Sequence, residues 1–324
     1  MTFQFKPGIR ESAGLLIGLA GGTGSGKTFS AMRLAAGIAG KDPFAVIDTE
    51  AGRALHYADQ FKFDHGDLHP SFTPEAYASA ILAADKAGYK AIVVDSATHE
   101  WAGEGGVLEM QEAELDRMAG DNWQKREACR MAAWIKPKMQ HKKMVQRLLQ
   151  VRAHLILCFR AEEKVEMVRD EKTGKTIIVP KKSTTGLDGW MPVCEKNLPY
   201  ELTVSFLLTA DAPGMPKPIK LQEQHRAMFP LGKPITEESG RLVAAWAAGG
   251  KAPAKGSKAD WTPLSDEEFA ALMATLDVKT RPALVAAYNA GVAVLKDRGG
   301  ESQFAAFKAE RDGLLKEIEG GTLK

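Results

Sequence analysis

The sequence predicts an α/β protein with a mostly parallel central sheet, followed by a small C-terminal helical unit. Three observations carry that expectation. Short apolar runs that read as buried strands alternate with helix-patterned stretches over residues 1–248, and strand–helix–strand crossovers build parallel sheets. Two of those strands close on acids, Asp48 and Asp95, at the carboxyl ends where open parallel sheets place their ligands. Residues 249–260 are then rich in Gly, Lys, Ala and Pro, a flexible-linker composition, and helical periodicity occupies 261–324.

A chain of 324 residues is long for one compact domain, so one large and one small domain are expected. The formal net charge is only +2, so any nucleic-acid surface must be local. No run of eighteen apolar residues occurs and Met1–Pro7 lacks a signal-peptide pattern, which predicts no membrane partner. Cys129, Cys158 and Cys194 are odd in number, far apart and free of a C-x-x-C spacing. That usage fits reduced thiols in a cytoplasm.

The first strand is Leu15-Leu16-Ile17-Gly18-Leu19-Ala20, and Phe29 to Ala39 is helix-forming. Between them stands Gly21-Gly22-Thr23-Gly24-Ser25-Gly26-Lys27-Thr28, the G-x-x-x-x-G-K-[ST] phosphate-loop pattern in its strand–loop–helix context. Its glycines let the backbone curl so that N–H groups surround a triphosphate, and the following helix adds its positive end. Lys27 is placed to neutralise the β- and γ-phosphates, and the Thr28 hydroxyl to hold magnesium.

Phe44-Ala45-Val46-Ile47-Asp48 reads as the next buried strand, running into Thr49-Glu50-Ala51-Gly52. Phe61-Lys62-Phe63 reads as a short strand. Thr73-Pro74-Glu75 starts a helix that stops at Gly88. Ala91-Ile92-Val93-Val94-Asp95-Ser96 is a β-branched strand tipped by an acid. With a phosphate loop upstream, Asp95 is the candidate that orients magnesium and its waters. Glu50 is the candidate carboxylate for polarising an attacking water, the alternative being a solvated turn acid.

From His99 to about Arg152 the pattern is helical: Val107, Leu108, Met110, Gln111, Leu115 and Met118 recur at helical spacing, as do Met131, Trp134 and Ile135. Pro137 is expected to break or kink the second helix, and Met144, Val145, Leu148 and Leu149 face inward. Leu155 to Phe159 reads as a strand ending at Arg160. A hairpin pairs 165–168 with 176–179 across a turn at 170–175, the polar run 181–186 follows, and late strands occupy 202–209 and 218–221. Thr236-Glu237-Glu238 caps a last helix of the core. Between Asp121 and Trp190 stand sixteen Lys/Arg against eight Asp/Glu, with Trp123, Trp134 and Trp190 among them. Cations that track phosphates and aromatics that stack bases suit single-stranded nucleic acid; solvated helix faces and a core Trp134 are the plainer reading. Ser265-Asp266-Glu267-Glu268 caps the first of three C-terminal helices. His65 and His69 lie near Asp64 and Asp67, but Gly66 and the lack of a helical pattern speak against a metal site.

Gly21–Thr28, the strand ending Val46-Ile47-Asp48-Thr49-Glu50 and the strand Ile92-Val93-Val94-Asp95-Ser96 together resemble the RecA-type P-loop ATPase core, over roughly residues 12–248. The resemblance implies ATP and Mg2+ as ligands, Glu50 as the water-activating glutamate and Tyr57 as the aromatic that stacks on adenine. Where that family usually carries a polar sensor, commonly Gln, this chain has Arg160, a cation able to read the γ-phosphate directly. Family DNA loops would fall at about 102–138 and 161–197, within a basic helical insert of about 100–152 and the hairpin region after it. Asp95–Trp101, Phe159–Lys164 and Glu195–Leu202 are similar to stretches of bacteriophage-encoded RecA-like ATPases of single-strand annealing recombination. That resemblance implies single-stranded DNA as partner, a homo-oligomeric ring or filament, cooperation with a single-strand-binding protein, and the bacterial host cytoplasm as location. By position alone, Lys217, Lys220 and Arg226 are candidates to reach a neighbouring subunit's nucleotide. A helicase-like or DNA-packaging motor, and a nucleotide-gated adaptor recruiting replication or recombination partners, are the alternatives on the same core.

Overall fold

The computed structural model describes residues 14–169, 174–181, 189–249, 264–278, 280–298 and 301–319. Residues 170–173 of the hairpin turn expected at 170–175, 182–186 of the polar run at 181–186 and 250–260 of the linker at 249–260 lie outside them. Contacts divide the chain into two units, Met1–Pro253 and Ala254–Lys324.

The first unit is built on strands β1 (Leu16–Gly21), β2 (Phe44–Asp48), β3 (Phe63–Asp67), β4 (Ala91–Asp95), β5 (His154–Glu163), β8 (Trp190–Pro192), β9 (Val204–Thr209) and β10 (Ala212–Lys220), with β6 (Val165–Arg169) and β7 (Thr176–Pro180) forming a separate hairpin. The order in the main sheet is β10-β9-β1-β5-β4-β2-β3, with β8 added to the far end of β5. All pairings from β9 to β3 are parallel; β10 and β8 pair antiparallel. The central strands β1, β2 and β4 are buried throughout, as sheets covered on both faces require, which is why they read as unbroken apolar runs.

Alternate residues of each strand feed two cores, because successive side chains point to opposite faces. Ile17, Leu19, Val46, Val93, Ile156 and Phe206 pack on one face with Met32, Leu34 and Ile38 of helix α1 (Lys27–Ala39) and Val243 of α8 (Glu237–Ala247). Leu16, Ile47, Ile92, Val94 and Leu157 pack on the other with Tyr77 and Ile81 of α2 (Pro74–Lys86) and Met144, Val145 and Leu148 of α6 (Ile135–Leu148).

The region between β4 and β5 differs in detail from its expected helices. It contains α3 (Thr98–Ala102), α4 (Val107–Ala119), α5 (Trp123–Cys129), a 3-10 turn (Ala132–Trp134) and α6. Pro137 does not interrupt a helix: it occupies the third position of α6, in the first turn, where no intrahelical N–H is needed. Leu149, expected inward, is exposed, as are Leu108, Met131 and Ile135, which recur at helical spacing. Strand β5 does not stop at Arg160 but runs on to Glu163, where β8 pairs with it. Strand β3 starts only at Phe63, and β10 starts at Ala212, ahead of the expected Pro218. A four-residue helix α7 (Leu198–Glu201) precedes β9.

The second unit holds α9 (Asp266–Ala274), α10 (Arg281–Arg298) and α11 (Glu301–Glu319) around Leu264, Leu276, Leu284, Leu295 and Phe307. Ser265 and Glu268 close a capping box on α9, each side chain accepting from the other's backbone N–H. Among the described residues, no helix is long and apolar enough to cross a membrane.

Candidate active site

Strands β1, β2 and β4 end on one line, level with Cys158–Arg160 of β5. Gly21 is in register with Arg160, Asp48 with Asp95, and Asp95 with Cys158, so the loops after β1, β2 and β4 meet at the carboxyl edge of the sheet. There, Gly24 and Gly26 hold the phosphate loop at φ 75° and 79°, a region where a Cβ is strained. The Ser25 hydroxyl donates to the Gly22 carbonyl at 2.8 Å, and Lys27 Nζ donates to the same oxygen at 2.9 Å. Gly26 caps α1 without a side-chain hydrogen bond, which keeps the first-turn N–H groups available to an anion.

Thr28 and Asp95 meet directly: the Thr28 hydroxyl donates to Asp95 Oδ2 at 2.5 Å. Asp95 is buried, and burial pushes its carboxyl up despite the Thr28 hydrogen bond, which pulls it down. A hydroxyl and a carboxylate are hard oxygen donors suited to Mg2+, and a buried carboxylate with so little neutralisation fits a cation.

Asp48 and Glu50, near neighbours in the sequence, are used differently. Asp48 is fully buried and accepts from Glu50 N at 2.6 Å, Ala54 N at 2.9 Å and His65 Nε2 at 3.3 Å. It thereby shapes the turn into the 3-10 helix Arg53–Tyr57. Arg160 Nη2 donates to Glu50 Oε1 at 2.7 Å, and Arg53 Nη1 to Oε2 at 2.9 Å. Burial raises the Glu50 carboxyl, but the hydrogen bond and charge of Arg160, with the charge of Arg53, outweigh it and hold Glu50 below the usual carboxylate range.

Thr49 ties this turn to β4: its hydroxyl oxygen accepts from Ser96 N at 2.8 Å and lies 2.8 Å from His99 Nδ1. Burial, then the charge of Arg160, holds the His99 imidazole below its ordinary value. Thr98 accepts from Arg160 N at 2.9 Å, which ties α3 to β5.

A cleft of about 680 Å³ is lined by Gly21, Gly22, Thr23, Gly24, Lys27, Thr28, Glu50, Tyr57, Asp95 and Arg160; this volume suits a small-molecule ligand. Every nucleotide-site residue singled out from the sequence, except the buried Ser25 and the intervening Gly26, thus lines one space. Tyr57 stands 5.8 Å from Phe29, ring to ring, at one wall. Arg53 and His56 also line the cleft and were not anticipated. The sequence signal for Arg53 was Gly52, a turn residue soon after Glu50; in the structure Ala51 and Gly52 turn at φ 56° and 82° and bring Arg53 back onto Glu50. Trp190, expected among exposed stacking aromatics, instead lies half-buried within van der Waals reach of the Cβ position of Gly22.

The basic insert is less basic on the surface than along the chain. Acids of α4, outside the 121–190 stretch, neutralise part of it: Arg126 pairs with Glu112 and Asp116, and Lys136 with Glu114 at 3.0 Å. Trp123 and Met131 are 74% and 80% exposed. Trp134 is half-buried, stacked on Trp101 at 5.8 Å, with the Lys138 ammonium 5.4 Å from its ring centroid. Of the late basic residues, Lys217 faces Asp211 at 3.8 Å, Lys220 donates to the Tyr200 carbonyl at 2.7 Å and Arg226 pairs with Glu223 at 3.2 Å. His65 and His69 face Asp48 and Asp67, and no cluster of metal-binding side chains occurs among the described residues.

A family model described as an AAA domain matches residues 13–194, more than half of the chain. The matched span contains the phosphate loop, Glu50, Tyr57, Asp95 and Arg160. No curated protein matches the chain.

Proposed function

This chain belongs to the AAA domain family, and from that premise we propose that it is a RecA-like ATPase whose nucleotide cycle governs single-stranded DNA binding and the annealing or exchange of complementary strands. The observation that carries the reading is the gathering of Lys27, Thr28, Glu50, Asp95 and Arg160 around one cleft.

Loop N–H groups and Lys27 bind the β- and γ-phosphates. Thr28 and Asp95 would hold Mg2+, which would supply charge neutralisation at the phosphates. Glu50 orients a water and accepts its proton as the water oxygen bonds to the γ-phosphorus and the β–γ bridging oxygen departs with ADP. Arg160 contacts the γ-phosphate, and Tyr57 stacks on the adenine.

Single-stranded DNA is assigned to about 102–138, within the insert, and to 161–197. The hairpin continues the strand that carries Arg160, Val165, Met167 and Ile178 on it are exposed, and Trp123 presents an open aromatic face. Residues 1–248 are the ATPase core, 249–260 a linker and 261–324 a separate helical unit. A ring or filament of identical subunits, with Lys217, Lys220 and Arg226 toward the neighbouring nucleotide, a single-strand-binding protein as partner and a bacteriophage origin acting in the host cytoplasm complete the proposal.

The test is anisotropy of a labelled oligonucleotide with ATP, ADP or no nucleotide. ATP-dependent binding that Lys27→Ala abolishes is expected, and binding indifferent to nucleotide contradicts the reading. Directional translocation on duplex DNA would replace it with a motor.

A further inference from the structure

Glu50 is gripped by two arginines, one on each carboxylate oxygen. Arg160 donates to Oε1 through Nη2 at 2.7 Å and Nε at 3.3 Å, and Arg53 donates to Oε2 through Nη1 at 2.9 Å. The two cations have different anchors. Arg160 stands on an interior strand in register with Gly21, whereas Arg53 stands on the turn that also carries Glu50. Both line the cleft with Lys27 and Thr28. A carboxylate whose two oxygens already accept charge-assisted hydrogen bonds is a poor proton acceptor. A γ-phosphate offers a guanidinium more charge and more acceptor oxygens than a carboxylate does.

We propose that Arg53 and Arg160 form a two-cation latch on Glu50, which ATP opens by drawing Arg160 onto its γ-phosphate while Arg53 keeps Glu50 in place. The inference rests on the assignment of Glu50 as the water-orienting carboxylate. ADP has no γ-phosphate, so it leaves Arg160 on Oε1 and the latch closed. With ATP, Oε1 is released to accept the proton of water, and Oε2 stays bonded to Arg53. Arg53 is therefore a positioning residue, and Arg160 distinguishes triphosphate from diphosphate. Besides these two cations, the titratable groups close enough to couple to the Glu50 charge are His99 of α3, Asp95 of β4 and Cys158 of β5, and none of the three is hydrogen-bonded to it.

The experiment measures AMP-PNP and ADP affinities and the pH profile of kcat for the full chain and its variants. Arg53 and Arg160 side chains are 73% and 53% exposed, so truncating either removes no packed core. Glu50→Gln frees Arg160 and is expected to tighten AMP-PNP about fivefold without moving ADP, the scale of one exposed ion pair. Arg160→Ala brings the two affinities together. Arg53→Ala lowers kcat at unchanged KM and moves its acid limb to higher pH, because Glu50 loses a cation; Arg53→Lys restores that limb in part. An unchanged AMP-PNP/ADP ratio in Glu50→Gln, or an unmoved acid limb in Arg53→Ala, overturns the latch. Wild-type turnover by Glu50→Gln would instead remove the assignment on which the latch rests.

Discussion

Asp95 is held where a bare carboxylate is costly. It is 8% exposed, and among the described residues the Thr28 hydroxyl is its one side-chain hydrogen-bond donor; desolvation of an unneutralised charge opposes folding. Asp95→Asn is therefore expected to raise the Tm of the ligand-free protein by about 2–4 °C, the shift for roughly 1 kcal/mol in a domain of this size. It should also lose the further stabilisation that wild type gains from MgCl2 with ATP, read by thermal unfolding; a lower ligand-free Tm would contradict this. His154 behaves in the opposite sense. Burial holds its imidazole down to about 4, and Leu15 N donates to its Nδ1 at 3.1 Å, a bond only the neutral ring accepts. The unfolded imidazole titrates near ~6.5, so the unfolded chain binds more protons below that value. Stability is fully present above it and falls as pH drops from there to about 4, by on the order of 3 kcal/mol. His154→Gln is expected to flatten that limb in urea melts taken across pH. At this scale the sequence was legible where chemistry is contiguous: Gly21–Thr28 declares itself within eight residues. It was not legible where partners come from distant strands, as in Thr49 with His99 or Glu50 with Arg160.

Helices α1 and α8 approach so closely that two glycines leave no room for a methyl group. A Cβ on Gly240 would stand 2.2 Å from the Leu34 carbonyl oxygen, and one on Gly37 would stand 2.0 Å from that of Glu237. Arg33 clamps the same pair through two nitrogens on the Glu237 carboxylate, at 2.7 and 2.9 Å. Gly240→Ala is expected to cost about 1–3 kcal/mol in urea unfolding, as overpacking does, while Arg33→Ala costs ~1 kcal/mol or less. Equal costs would mean that close backbone contact does not outweigh the ion pair in holding α1 to α8. Strands of this core were readable because burial on both faces leaves continuous apolar runs. Helices of the insert were less so. Met131, Ile135 and Leu149 follow a helical period yet face outward, because period identifies a stripe and cannot say which partner covers it. Pro137 reads as a breaker in a continuous pattern, but the chain had already turned at Ala132–Trp134 and α6 begins just before it.

At the scale of the whole molecule, order along the chain and order across the sheet differ, and that difference makes the site. Strand β5, far from β1 in sequence, lies between β1 and β4, which brings Arg160 to the phosphate loop. Alternation of strands and helices announced a parallel sheet but not this insertion, since strand order depends on crossovers that carry no local signal. The proposed DNA surface continues from the same strand. Its affinity should fall with rising salt, but with a slope of fewer released ions than sixteen cations imply, because α4 acids occupy Arg126 and Lys136. Anisotropy titrations between 50 and 200 mM salt, roughly the range over which such contacts are lost, would show this. The most direct test of the central claim is ATP turnover with and without single-stranded DNA, alongside Lys27→Ala as the inactive reference. Turnover that single-stranded DNA stimulates and Lys27→Ala abolishes is expected; turnover unaffected by single-stranded DNA would rule out a nucleotide cycle coupled to DNA.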